Sequence, residues 1–161
     1  MSSAFAAHVA AGPTDPEIAH IVVTANTIDI NAGKVAEKKG TTKEVRAFAE
    51  RMVTDHSAVN KQAGDLAKKL GVTPMDNDTS KSLMKGADEN MKKLKELSGK
   101  AFDKQYVDHE VAYHEAVLNA IDKTLIPSAH NAELKALIEK VRPAIAAHLE
   151  HAKGMQASMM K

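Results

Sequence analysis

Apolar residues in this chain recur at three- and four-residue steps through long runs, and nowhere do they alternate with polar ones over the length of a strand. That period gathers them on one side of a helix and lacks the two-residue repeat that a half-buried sheet needs. The expected fold class is therefore all-α. Residues that favour strands are scarce in keeping with this, the aromatics being two Tyr and three Phe with no Trp. At 161 residues the chain is long enough for one core that buries roughly two-thirds of the unfolded surface.

Local chemistry sets the expected helix limits. Thr14-Asp15-Pro16-Glu17 reads as a capping side chain, a proline in the first turn and an acid near the positive end of the helix dipole. A helix A follows from there to Lys39 and stops at Gly40. Helix B opens at Thr41 or Thr42 and continues to Leu70, where Gly71 and Pro74 break it. Together they form a hairpin. The polar stretch Val72 to Thr79 is read as a crossover to a second hairpin. There helix C comes in two pieces, Thr79 to Leu97 and Lys100 to Leu125, split near Gly99 by either a kink or a true break. Helix D starts near Asn131 and reaches the C-terminus, with Pro143 bending it. Residues 14–161 are thus expected to form one four-helix bundle. Residues 1–13 are read as a flexible N-terminal remnant, rich in the small residues found near signal cleavage sites.

Charge and composition narrow the partners. Lys and Arg total 22 against 21 for Asp and Glu, interspersed along the chain, so no strong field recruits nucleic acid or an anionic membrane. No apolar run reaches the roughly 18 residues of a membrane span. Cysteine is absent, which removes disulfides and thiolate sites and leaves His, carboxylate and Met as metal ligands. A dimer face is offered by Leu83, Met84, Met91 and Leu94 on the first piece of helix C.

Three histidines interrupt the apolar stripes. His56 continues Val45, Phe48 and Met52; His114 follows Val107 and Val111; His148 follows Val141 and Ile145. Glu110 precedes His114 by one turn on a shared face. Counting outward from the turn between helices C and D puts Glu110 near the height of His148. Asp29 edges the stripe of helix A, but counting around Gly40 leaves His56 about 7 Å deeper, which makes Asp29 the weakest member of the set. His151, with Met155 and Met159 at one-turn spacings, offers a copper(I) alternative, although filling of the core is the preferred role for those methionines. His8, His20, His109 and His130 are read as terminal or surface residues, and Asp55 and Asp108 as solvent-facing acids.

A single histidine in a core register is more often a hydrogen-bonded packing residue than a ligand. Three of them on three helices, beside a carboxylate, tip the balance to a shared role, because burial opposes charging each imidazole. The leading expectation is a transition metal, Zn or Cu first and Fe after them, held through His56, His114 and His148 with Glu110 in support. An iron or manganese oxidase is the alternative. It is disfavoured because carboxylate-bridged two-metal bundles use several Glu and a Glu-x-x-His motif on each of two helices, and the one present, Glu17-Ile-Ala-His20, lies far from Asp29. A partner-binding bundle with a pH-responsive histidine network is the third reading.

Several segments also resemble a known family: Met52-Val-Thr-Asp-His56, Phe102-Asp103, Tyr106-Val107, and Val141-Arg-Pro143 leading to His148-Leu-Glu-His-Ala152. Over roughly residues 25 to 155 the chain is similar to the ferritin-like bacterial envelope family called domain of unknown function forty-one forty-two. The resemblance implies a ferritin-like four-helix bundle exported to the periplasm or cell envelope. It also implies that His56, His114 and His148 match recurrent histidines of the family. Glu110, where an amide or apolar residue is common, and Asp29, where Glu is usual, depart from its pattern. The family brings no settled activity.

Overall fold

The computed structural model describes residues 12–161, and the described residues contain helices and no strands. The all-α expectation holds. Of the N-terminal segment read as a flexible remnant, residues 1–11, with His8 among them, lie outside the described residues. No helix among the described residues is long and apolar enough to cross a membrane.

Helix α1, Asp15–Lys39, opens with a reciprocal capping box in which the Thr14 hydroxyl accepts from Glu17 N and the Glu17 carboxylate accepts from Thr14 N. Helix α2, Lys43–Leu70, is capped by Thr42 and ends at Gly71, whose φ of 65° suits a residue without Cβ. Asn77 caps α3, Asp78–Glu96. Helix α4, Gly99–Ala120, runs through a π-helical turn, Ile121–Leu125, into the short α5, Ile126–Ser128. Asn131 caps α6, Ala132–Met159, which continues through Pro143.

The split near Gly99 is more than a kink. Leu97 and Ser98 are extended, Gly99 takes a φ of 64°, and the chain reverses. Asn90 accepts from Gln105 across the turn at 3.0 Å, as two antiparallel helices require. The two pieces of helix C are therefore separate helices, and α3 is itself the crossover. Its start is tied to the start of α1, where Met75 N donates to Pro16 O and Asn77 Nδ2 to Glu17 O. Its end is tied to the end of α1, where Lys39 Nζ donates to the carbonyls of Leu94 and Leu97 at 2.7 and 2.6 Å. Leu94 and Leu83, read as part of a dimer face, are spent inside, the first buried and the second packed against the core, while Met84 stays exposed.

Helices α1, α2, α6 and α4 close a ring in that order, and α3 lies in the outer groove between α1 and α4. Two apolar clusters fill the ring. One, at the α1–α2 turn, holds Phe48, Met52, Phe102, Tyr106 and Met155. The other, at the far end, holds Ile18, Ile21, Ile121, Ile138 and Ile145. Asp103 on α4 fastens the ring by accepting from both Thr41 N, at 3.0 Å, and the Thr41 hydroxyl. Between the two clusters lies a layer of buried polar side chains.

Candidate metal centre

Each helix of the ring delivers part of that layer. Asn26 and Asp29 come from α1, His56 from α2, Glu110 and His114 from α4, and His148 from α6; all six are buried. The three imidazole centroids stand 5.2 to 5.8 Å apart. One ring nitrogen from each histidine lies within 4.8 Å of those from the other two, and one atom each from Asp29, Glu110 and His114 form a second group as tight.

Hydrogen bonds decide which nitrogen of each ring is available. His56 Nδ1 donates to Asn26 Oδ1 at 2.8 Å, His114 Nδ1 to the Glu110 carbonyl at 2.9 Å, and His148 Nε2 to Asp55 Oδ2 at 2.7 Å. Each acceptor fixes the proton on that nitrogen and leaves the other with a lone pair. The remaining three, His56 Nε2, His114 Nε2 and His148 Nδ1, are buried without a partner. So are Asp29 Oδ1, both carboxyl oxygens of Glu110 and the Tyr106 hydroxyl. His56 Nε2 stands 3.2 Å from Asp29 Oδ2, but the alignment does not make a hydrogen bond. Buried polar groups are almost always paired, so three unpaired imidazole nitrogens in one layer mark a group of side chains that could hold a cation.

Burial also sets the charge. It holds His56 down to about 3 and His114 to about 4, and it lowers His148 against the pull of Asp55, so the imidazoles are neutral. Burial raises Asp29 to about 8; burial and the neighbouring Asp29 raise Glu110 well above the usual carboxylate range. Without a cation both acids keep their protons near neutral pH. A bound cation would accept the lone pairs and favour the ionised acids.

Residues 1–155 match the family described as Domain of unknown function (DUF4142). The chain belongs to this family. No curated protein matches it, and no solved structure does. The family description assigns no role to the polar layer, so its chemistry must be read from its atoms.

Asp29 is the main revision to the sequence reading. The α1–α2 turn is centred nearer Thr41 than Gly40, which shortens the mismatch with His56 to roughly three residues, about 4.5 Å. Side chains lean toward the N-terminus of their own helix, so in this antiparallel pair Asp29 leans away from the turn and His56 toward it. That closes the gap. Asp55 is half-exposed, as an outward acid should be, yet it reaches sideways to His148 while Arg51 pairs with it from the solvent side. His109 is half-buried and not a surface residue: its ring stacks on Tyr113 at 5.5 Å. His151 does not join the cluster, its ring lying edge-on to Phe48 and its Nε2 4.0 Å from Glu44. Asn26 was missed altogether, although its place three residues before Asp29 put it on the same face.

The donors gathered here are three neutral imidazoles and two carboxyl groups, with no thiolate. That set suits Zn, Cu(II), Fe(II) or Mn(II) better than soft Cu(I) or hard Ca. Each imidazole also has an outer acceptor, the support that metal-bound histidines ordinarily possess.

Proposed function

We propose that this domain is a metal-binding helical bundle that holds a transition ion through His56 Nε2, His114 Nε2 and His148 Nδ1. Asp29 and Glu110 balance its charge as further ligands or as acceptors beside it. One observation carries the reading: all three rings have their N–H bonds committed outward, and all three remaining nitrogens are buried and unpaired in the same layer. Zn and Cu are the leading ions and Fe follows, because neutral imidazole with carboxylate accommodates all three. The sequence resemblance supports a ferritin-like relation for the ring of four helices, and a periplasmic or envelope location in which the protein buffers, senses or protects against metal. The test is elemental analysis of protein purified without chelator, then titration of the metal-free form with Zn, Cu, Co and Fe. About one ion per chain, lost on His114→Ala, is expected. Uptake no greater than that of a triple His-to-Ala variant would return the histidines to the core.

A second reading, redox catalysis at iron or manganese, is favoured by one finding that sequence spacing argued against: two carboxyl groups, Asp29 and Glu110, stand in the layer beside His114. Two irons per chain with oxygen consumption on addition of Fe(II) would select it over storage. One ion and no turnover would reject it.

A further inference from the structure

An apolar chamber of about 90 Å³ lies at the far end of the helix ring, outside the polar layer and partly covered by α3. Its position follows from the numbering. Asn26, Val59, Val117 and Ile145 line it, and each sits three residues from Asp29, His56, His114 and His148 respectively. Because α1 and α6 run opposite to α2 and α4, all four offsets point the same way along the ring. The chamber is therefore displaced from the histidine layer by about one turn, roughly 4.5 Å, and reaches outward between α1 and α4 to Thr79 and Leu83 of α3. Asn26 belongs to both, lining the chamber and accepting from His56 Nδ1. On the opposite side of the layer Phe48, Met52, Tyr106 and Ala152 are packed with no exposure at all. Asn26 is thus the one member of the layer that borders the chamber.

Size and chemistry limit what the chamber can take. Pockets for organic ligands usually run to several hundred Å³, and this one is well below that. None of its lining residues is charged, so a fatty acid or phosphate headgroup would find no counterion there. An apolar wall of this kind offers water few partners and favours small apolar molecules. The π-helical turn contributes Ile121 and Leu125 to the wall, where a continuous α-helix would set them in another register. The rim reaches solvent at Thr79 and Ala116.

We propose that this chamber is a holding site for a small uncharged gas of the dioxygen or nitric oxide class, set one helical turn from the histidine layer and bordering it at Asn26. The holding site stands on the cavity alone; delivery to an ion rests on the metal-binding reading above. Xenon, an apolar probe of similar size, tests the first part on metal-free protein by xenon-129 NMR or by crystals under xenon pressure. One xenon bounded by Asn26, Val59, Val117 and Ile145 is expected, and Val117→Phe should abolish it while leaving zinc uptake unchanged. Val117→Leu is the milder variant if the larger ring prevents folding. The second part is read from nitric oxide binding to Fe(II)-loaded protein, whose association rate should fall about tenfold in the filled variant, an added barrier of about 1.4 kcal/mol. Xenon bound nowhere in the ring, or an organic molecule copurifying in the chamber, overturns the proposal. An unchanged nitric oxide rate in a variant that has lost xenon overturns delivery. Xenon bound to a protein that takes up no Fe(II) upholds the holding site and sinks the metal centre instead.

Discussion

Asp55 shows how a residue at the surface can govern a buried site. Its carboxylate receives the His148 N–H, and that bond keeps the Nδ1 lone pair of His148 turned inward. Asp55→Asn retains the shape but offers a neutral acceptor, and outer partners of metal-bound histidines typically matter by about 10–100-fold in affinity. A competition titration against a chromophoric chelator should show a loss of that order for zinc; an unchanged dissociation constant would mean that His148 is not a ligand. Glu110 gives the complementary case. Glu110→Gln replaces a carboxyl that stays protonated when buried with an amide that never ionises. The metal-free variant should melt no lower than wild type at pH 8, whereas its zinc-induced gain in melting temperature should shrink. Equal gains in the two proteins would remove Glu110 from the site. His56, His114 and His148 were legible in the sequence because each interrupts an otherwise apolar stripe. Asn26 and Asp55 were not. Their role depends on which neighbouring helix they face, a relation that no single helix's period contains.

At the scale of elements, Gly33 sets the spacing that brings Asp29 to His56. A Cβ there would stand 2.9 Å from Val53 Cγ2 and 3.0 Å from the Ala49 carbonyl, so α1 and α2 could not approach as they do one turn from the polar layer. Overpacking of this sort costs about 1–3 kcal/mol. Gly33→Val should lower the denaturant midpoint accordingly and weaken zinc binding in the same protein; a variant of full stability and full affinity would show that the approach is not required. Helix limits read well because their causes are local. The caps at Thr14, Thr42, Asn77 and Asn131 each rest on a side chain and an amide two or three residues apart. The reversal at Leu97–Gly99 read less well. Gly99 signals an interruption, but whether a chain kinks or turns back depends on distant anchors such as Lys39 on the Leu94 and Leu97 carbonyls. The π-helical turn gives no periodic signal at all. It precedes Pro127, which supplies no N–H to the carbonyl four residues back, and Ile126 N instead bonds to Ile121 O.

The whole molecule carries a linkage between stability and pH that a bound cation should alter. His56 and His114 titrate near 3 and 4 when folded against about 6.5 when unfolded, so the unfolded chain binds more protons between those limits. Their contribution is complete above about 6.5 and is lost as the pH falls toward 4. Asp29 and Glu110 act in the opposite sense: their folded pKa values are raised, so the folded chain binds more protons above the ordinary carboxylate range near 4. The contribution of Asp29 is complete below about 4 and is lost as the pH rises toward 8, and that of Glu110 falls in the same direction. Between about 4 and 6.5 the two slopes oppose, and above 6.5 only the carboxyl slope remains. Metal-free protein should therefore lose stability from pH 6.5 to 8. A bound ion reverses this, because it takes neutral imidazoles and ionised carboxylates, and its binding must release the protons that Asp29 and Glu110 hold. Thermal melts in chelator and in excess zinc should diverge as the pH rises, with the zinc curve holding level while the chelator curve falls. Calorimetric titrations in buffers of differing ionisation enthalpy should register proton release near neutral pH. Parallel melting curves together with no proton release would show that no cation enters this layer, and would leave the buried acids and histidines as a polar network of the core.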